Sequence, residues 1–350
     1  MLTFTSETGD AGSFCRSSLS LLLALAWLPV SPARAESYDQ GPVFSLLEEN
    51  DLFVNTDRHY TQGIKLSFLQ RDGELPRWAQ AFSDAFPARG FDLKVVKFGY
   101  QIGQSIYTPE DISLNTLIPD DRPYAGWLYT GFIWQRRGRT ADRWPTLESF
   151  QADLGIIGPA ALGREAQTWI HEVRGFQLPK GWSHQLHNEP GLALKYQRSL
   201  RFSAGAADRR WLDFLPHGGF SLGNVETSVR LGALLRCGWR LPDNFGHPNI
   251  HSLVTAEGGW SQTAHNPRFG VFAFTALEGR LVGYTSFLDG NLFHTSHHVE
   301  REPWVAELRT GVGMTLWRIE GGFALSYRTR EFMKQTENNR YGSLFLSLRF

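Results

Sequence analysis

The chain carries 2 cysteines in 350 residues, and that scarcity is its first constraint. Cys15 lies upstream of an apolar run and outside any lipoprotein cleavage position, so it leaves with a cleaved leader. Cys237 then stands alone and no intrachain disulfide is available. A secreted domain without disulfides must be held by a large core or another closed network of contacts. Net charge is also missing: 35 basic residues balance 35 acidic ones, which leaves no electrostatic footprint for a nucleic-acid partner. The chain after its leader has no stretch approaching the roughly 20 apolar residues of a spanning helix. A chain of this kind enters a membrane only as a barrel, the one other structure that satisfies its own backbone in lipid.

The apolar run itself, 19–28, follows Arg16 and ends in Pro29, Pro32 and the small-x-small triplet Ala33-Arg34-Ala35. It reads as a signal peptide over 1–35, too short to span a bilayer, with a mature protein of 36–350 beginning near Glu36. An N-terminal core helix is the competing reading, and the two prolines continue a helix poorly.

What the mature chain has in quantity is alternation. Leu344, Leu346, Leu348 and Phe350 share one face and Ser343, Ser347 and Arg349 the other, with Phe345 as the exception. Such alternation ending on a terminal Phe resembles the last strand of an outer-membrane barrel; a last strand of a soluble sandwich is the alternative. Similar segments recur at 43–49, 60–70, 94–103, 124–135, 146–157, 189–200, 211–222, 226–237, 270–284, 304–317, 319–332 and 341–350. The expected fold is all-β, a transmembrane antiparallel β-barrel of about twelve strands, an even number that returns both termini to the periplasmic side. Trp127, Tyr129, Trp134, Trp304 and Trp317 near strand ends suit interfacial girdles.

A first strand running upward puts 50–59, 105–123 and 158–188 outside, and makes 238–269 an unusually long periplasmic connection. A further pair of strands around Ser252 to Ser261 would remove that oddity. Two outer segments look chemical. Glu48-Glu49-Asn50-Asp51-Leu52-Phe53, followed by Thr56-Asp57-Arg58-His59-Tyr60-Thr61-Gln62-Gly63, packs carboxylates, an amide, an imidazole and hydroxyls between two strands. Connecting segments carry function while the scaffold holds them. Downstream of Gly158-Pro159, the segment 165–173 has helix-forming residues, and Gln167 and His171 at i, i+4 share a face. A short helix is therefore expected in an extracellular loop.

Glu49-Asn50-Asp51-Leu52-Phe53, Asp57-Arg58-x-Tyr60-Thr61-x-Gly63, Gln104-x-Ile106-Tyr107-Thr108-Pro109, Asp121-Arg122-Pro123-Tyr124-Ala125-Gly126, Gly155-x-Ile157-Gly158-Pro159, Gln167-x-x-x-His171 and Pro179-Lys180-Gly181-Trp182-x-x-Gln185-Leu186 come in order along the chain. Together they resemble the lipid A 3′-O-deacylase family of Gram-negative outer membranes. The resemblance implies a twelve-stranded barrel with a calcium-dependent site between the outer wall and a loop helix. It implies hydrolysis of the 3′-linked acyloxyacyl ester of lipid A, on the outward side of the outer membrane. His171 matches the family's catalytic histidine, Asn50 and Asp51 its Asn-Asp pair, and Thr61 the hydroxyl of its Tyr-Thr-x-Gly motif. Two positions depart: 113–119 lacks the family's Lys-Arg pair, and its acidic residue after the histidine falls at Gln177.

On chemical grounds, ester hydrolysis needs an activated water and something to hold the oxyanion. An imidazole such as His171 serves as base near neutral pH. Ca²⁺ takes oxygen ligands, and Asp51 is the expected metal ligand, with Asn50 or Glu49 and nearby carbonyls beside it. Asp51 is equally at home as a turn residue, and Thr61 as a plain β-former. Arg122 is a candidate for a lipid phosphate or a snorkelling residue, and Tyr107 for acyl contact or the girdle. The partners expected are lipopolysaccharide and outer-membrane lipids around a monomer. An outer-membrane phospholipase and a non-enzymatic channel or structural barrel are the rival functions.

Overall fold

A computed structural model describes residues 41–54, 59–206, 209–246 and 269–350. The leader expected at 1–35 and the strand pair around Ser252 to Ser261 lie outside these residues. The strands are β1 (Val43–Asn50), β2 (His59–Leu69), β3 (Asp92–Thr108), β4 (Ala125–Arg139), β5 (Pro145–Ile157), β6 (Glu189–Leu200), β7 (Phe202–Ala204), β8 (Leu212–Gly223), β9 (Glu226–Trp239), β10 (Phe269–Thr285), β11 (Trp304–Leu316), β12 (Ile319–Arg328) and β13 (Asn339–Arg349). Each pairs antiparallel with its neighbour, β1 pairs with β13 from Val43↔Arg349 to Asn50↔Gly342, and β6 pairs with β8. The short β7 prolongs β6 past Arg201, so the closed barrel has 12 crossing strands, and each corresponds to one of the alternating segments of the sequence. No helix among the described residues is long and apolar enough to cross a membrane; the crossing is made by strands.

Alternation sorts the side chains into an inverted protein. Along β3, Lys97, Gln101 and Ser105 are buried on the inner face while Tyr100 and Ile102 are 42% and 52% exposed on the outer one. Strands β9 and β13 behave alike, with Arg230 and Arg236 or Ser343 and Ser347 inside, and Val229, Leu231, Leu344 and Leu346 outside. A polar, filled interior with an apolar exterior is the arrangement of a lipid-embedded barrel, and it excludes the soluble sandwich. The girdle expectation divides by the same parity. Trp304 and Trp317 stand outside, 70% and 65% exposed. Trp127 and Tyr129 point inward, buried and stacked at 5.5 Å, because they share parity with Gln135 and Arg137 rather than with Phe132.

Among the described residues three α-helices decorate the connections: α1 (Arg77–Ala85) between β2 and β3, α2 (Gly163–Arg174) between β5 and β6, and α3 (Ser286–Asp289) after β10. The second is the loop helix expected from the sequence.

The long periplasmic connection has a structural use. Strands β9 and β10 pair directly from Val271↔Trp239 to Thr285↔Glu226, so no strand lies between them. After β9 the chain turns into the barrel, where Leu241, Asp243, Asn244 and Phe245 are buried. Asp243 accepts from Arg137 at 2.9 Å and Arg210 at 3.1 Å and pairs with Arg201. Asn244 accepts from Arg236 at 2.5 Å and donates to Glu320 at 2.8 Å. Burial alone would raise the Asp243 carboxyl, but the three guanidinium groups outweigh it and hold the group well below the ordinary aspartate range. The segment is a stopper locked by ion pairs.

Removing one partner of a buried ionic cluster costs about 3–5 kcal/mol because the others are left uncompensated. Asp243→Ala should therefore lower stability by about that much, read as a shifted urea midpoint for loss of the heat-resistant folded band on gels. Because the folded-state carboxyl is depressed, its contribution is complete above the ordinary aspartate range and drains away as pH falls toward the depressed value. The wild type should lose this stability on acidification, and the variant should show less pH dependence.

Candidate active site

The site is built on the outer face at the extracellular edge. Strand register sets Asn50 opposite Gln62 and Gln62 opposite Ile106, a row across β1, β2 and β3. Parity turns Asn50 outward, since Glu49 beside it points inward and accepts from Tyr60 Oη at 2.9 Å. A bulge between Tyr60 and Gln62 inserts Thr61, whose hydroxyl meets that of Thr108 at 2.7 Å. Bulges commonly re-aim a side chain beside a site. Asp51, fully buried, opens a 3-10 turn over Asp51–Val54. The Leu52 N–H donates to Asn50 Oδ1 at 2.8 Å, closing a local turn and leaving Nδ2 as the donor end of that amide.

Helix α2 lies against the neighbouring strands β3 and β4. It ends at Gly175 in the left-handed region (φ 69), and the Phe176 N–H donates to the His171 carbonyl at 2.9 Å. Its buried face is Gly163, Gln167 and His171, one residue per turn. Close approach depends on glycine: a Cβ on Gly163 would meet the Trp182 ring at 2.8 Å, and one on Gly126 would meet Ala161 Cβ at 3.1 Å. Trp182 Nε1 donates to Gln167 Oε1 at 2.8 Å, and Gln104 Nε2 donates to the Ala161 carbonyl at 2.6 Å. Below them Ile106, Ile112, Tyr124 and Trp182 form an apolar bed.

His171 is 1% exposed, against the ordinary expectation for a loop histidine. Its Nδ1 lies 2.5 Å from the Gln177 carbonyl oxygen. A carbonyl only accepts, so Nδ1 carries the proton and Nε2 keeps the lone pair. The imidazole is thus held in the tautomer a general base needs.

The sequence candidates separate into two groups. Asn50 and Thr61 lie on the paired strands β1 and β2, with Asp51 at the strand end beside Asn50, while His171 lies on a helix packed on the next strands of the wall, β3 and β4. Tyr107 and Arg122 do not belong there. Tyr107 has the opposite parity to Gln104, Ile106 and Thr108 and stacks inside on Phe287 at 4.0 Å. Arg122 lies over the Tyr107 ring at 5.2 Å and pairs with Glu331 at 3.4 Å. Both are committed to the barrel interior, so the lipid-contact roles expected for them are withdrawn. Glu49, likewise inward, is withdrawn as a metal ligand. The bracing roles of Gln104 and Trp182 were missed, whereas Gln167 stood out in the sequence for the face it shares with His171. The parity of Gln104 with the lipid-facing Ile102 was the signal for the first; nothing in the spacing signalled a Trp182–Gln167 bond.

On the far side of the 3-10 turn from α2, a groove of about 430 Å³ runs down the outer wall. Leu308, Leu325 and Tyr327 line its floor, Val54 one side, and Asn338 and Arg340 its rim. Among the described residues no three His, Cys, Asp or Glu side chains cluster as a metal site. Among the described residues the donors next to Asn50 in the chain and across the strands are the Asp51 carboxylate, amide oxygens and hydroxyls. That is an all-oxygen set suited to a hard cation such as Ca²⁺, with little charge and hence modest affinity.

The glycine seat is testable by itself. Overpacking costs about 1–3 kcal/mol, so Gly126→Val should loosen α2 while the barrel stays folded. Tryptic cleavage at Arg164 and Arg174 should accelerate about tenfold, in line with a local opening cost lowered by ~1.4 kcal/mol, with the heat-resistant gel band retained.

The arrangement has known counterparts. By fold, the chain matches LpxR from Salmonella typhimurium with a TM-score of 0.68 at 21% identity, over 88% of this chain and 100% of that one. It also aligns with the β domain of the Bordetella autotransporter BrkA, at TM-score 0.42 and 10% identity over 89% of this chain and 100% of that one. No curated protein sequence matches it. The profile of the family "Outer membrane protein LpxR" matches residues 19–350, so the chain belongs to that outer-membrane family.

Proposed function

We propose that the chain is an outer-membrane lipid A deacylase that hydrolyses the 3′-linked acyloxyacyl ester with a water activated by His171. The observation that carries this reading is the buried His171, its Nδ1 bound to the Gln177 carbonyl and its Nε2 left basic, on a helix seated against the lipid-facing wall. Few arrangements other than lipid chemistry explain a base at that position, since its surroundings are the outer leaflet rather than the barrel interior.

In the proposed reaction His171 Nε2 takes a proton from water as the oxygen attacks the ester carbonyl. The bond from the acyl carbon to the sugar oxygen then breaks, His171 gives its proton to that oxygen to form the sugar hydroxyl, and the released fatty acid loses its own proton to bulk water and leaves as carboxylate. Asn50, whose Oδ1 is taken by the Leu52 N–H, would offer its Nδ2 as a donor to the oxyanion. The Thr61–Thr108 pair shares one hydrogen bond, which leaves one hydroxyl proton for a substrate oxygen or a water. Asp51, with Asn50 and nearby oxygens, would hold Ca²⁺; when bound, such a cation polarises the ester carbonyl. The remaining chains of the lipid would run over the groove beside Val54, with Arg340 at the level of its phosphates.

Family membership and the outer-wall site support this reading over a phospholipase. The stopper segment at the periplasmic end works against a channel.

The test is mass spectrometry of lipid A incubated with purified protein, in calcium and in chelator. Loss of one acyloxyacyl group in calcium alone is expected. Loss of the general base typically costs about 10²–10⁴ in rate, so His171→Ala should abolish product in the same assay and Asp51→Ala should weaken the calcium response. Unchanged lipid A beside cleaved phospholipid would hand the assignment to a phospholipase.

A further inference from the structure

We infer that α1 is an interfacial anchor that inserts an aromatic face among the phospholipids of the periplasmic leaflet. The argument starts on the outer wall. Register aligns Trp134, Phe150 and Tyr196 in one row across β4, β5 and β6, and Arg136, Glu148 and Arg198 in the next row toward the periplasm. Both rows face outward by parity with Phe132. An Arg–Glu pair is costly against hydrocarbon, so the boundary between an aromatic row and an ionic row marks the membrane edge, where Trp and Tyr gather.

The chain then covers the ionic row. Arg136 donates to the Phe86 carbonyl and Arg198 to the Arg89 carbonyl, while the Phe91 ring lies 5.1 Å from the Arg198 guanidinium. Arg136 and Glu148 end up 3% and 4% exposed. This strap fixes α1 level with the aromatic row. Trp78 packs edge-on against Phe98 at 5.0 Å and Phe132 at 5.2 Å, and Phe82 against Trp134 at 5.0 Å.

Even after these contacts Trp78, Phe82 and Phe86 remain 53%, 41% and 53% exposed. Trp78 and Phe82 stand at i and i+4 on one side of the helix and Phe86, its C-cap, lays its ring 4.6 Å from that of Phe82, whereas Arg77, Gln80 and Asp84 lie on the other side and Gln80 donates to Asp84 at 2.8 Å. Three half-exposed aromatic rings continuous with a lipid-facing wall form a patch that water does not suit. Amphipathic helices of this kind settle at the headgroup and acyl boundary. The occupant is therefore glycerophospholipid, reached by lateral continuity with the barrel's own lipid belt.

The test labels α1 at two opposed positions. With Cys15 and Cys237 replaced by Ser, Phe82→Cys and Gln80→Cys are each coupled to an environment-sensitive fluorophore. The proteins are reconstituted into phosphatidylethanolamine and phosphatidylglycerol vesicles containing a headgroup-proximal nitroxide lipid. The label at 82 should be quenched severalfold more by the nitroxide lipid than by aqueous iodide, and the label at 80 the reverse. Equal iodide quenching at both sites would overturn the proposal. Because a label at 82 removes a packing ring, Trp78→Phe provides a second reading. Its emission difference from wild type isolates Trp78, which brominated phospholipid should quench; a difference spectrum indifferent to bromine would also overturn it.

Discussion

Every feature of this protein depends on the closure of its sheet. In lipid no water satisfies a backbone N–H or C=O, so the strands must pair on both sides all the way round. Pairing of β1 with β13 and of β6 with β8 achieves this. Once the ring is closed, a side chain has two destinations, and its position in the alternation decides which. Asn50 and Glu49 are adjacent in sequence, yet one faces the outer leaflet and the other bonds to Tyr60 inside. The same rule separates Ile106 from Tyr107. Parity thus draws the line between site and scaffold more sharply than residue chemistry does.

Closure also explains why the helices sit where they do. On the lipid side, β3 and β4 gain a second wall where a helix packs against them. Helix α2 supplies it, and its approach is limited by side-chain volume at Gly126 and Gly163. The interior contributes by resisting deformation. Arg328 with Glu307, Arg236 with Asp213, and the Asp243 cluster are buried pairs whose hydrogen-bond partners are fixed by register. Such pairs add little net stability when compared with a well-packed apolar core, but an apolar lumen is of no use to a chain whose outside must already be apolar.

The strands were legible in the sequence because a period of two survives any tertiary arrangement; all the alternating segments became strands. The loop helix and the face shared by Gln167 and His171 were legible for a similar reason, being local. Parity could have corrected Tyr107, since Gln104 and Ile106 on one face fix Tyr107 on the other. Arg122 could not be placed in this way: it lies between strands, and its partner Glu331 is far along the chain. The use of 241–245, at the start of the long connection, was hidden as well, because a stopper is defined by partners on strands distant in sequence, Arg137 and Glu320 among them.

The departure at Gln177 acquires a physical meaning from the geometry. An acidic side chain following the histidine would bring negative charge to the site. Here the contact that positions His171 comes from the backbone carbonyl of Gln177, and a backbone contact is indifferent to the side chain that replaced the acid. The hydrogen bond that sets the tautomer of the imidazole is therefore independent of the side chain at 177. The placement of the ring at Nδ1 thus depends on the path of the chain after the helix rather than on the side chain at 177.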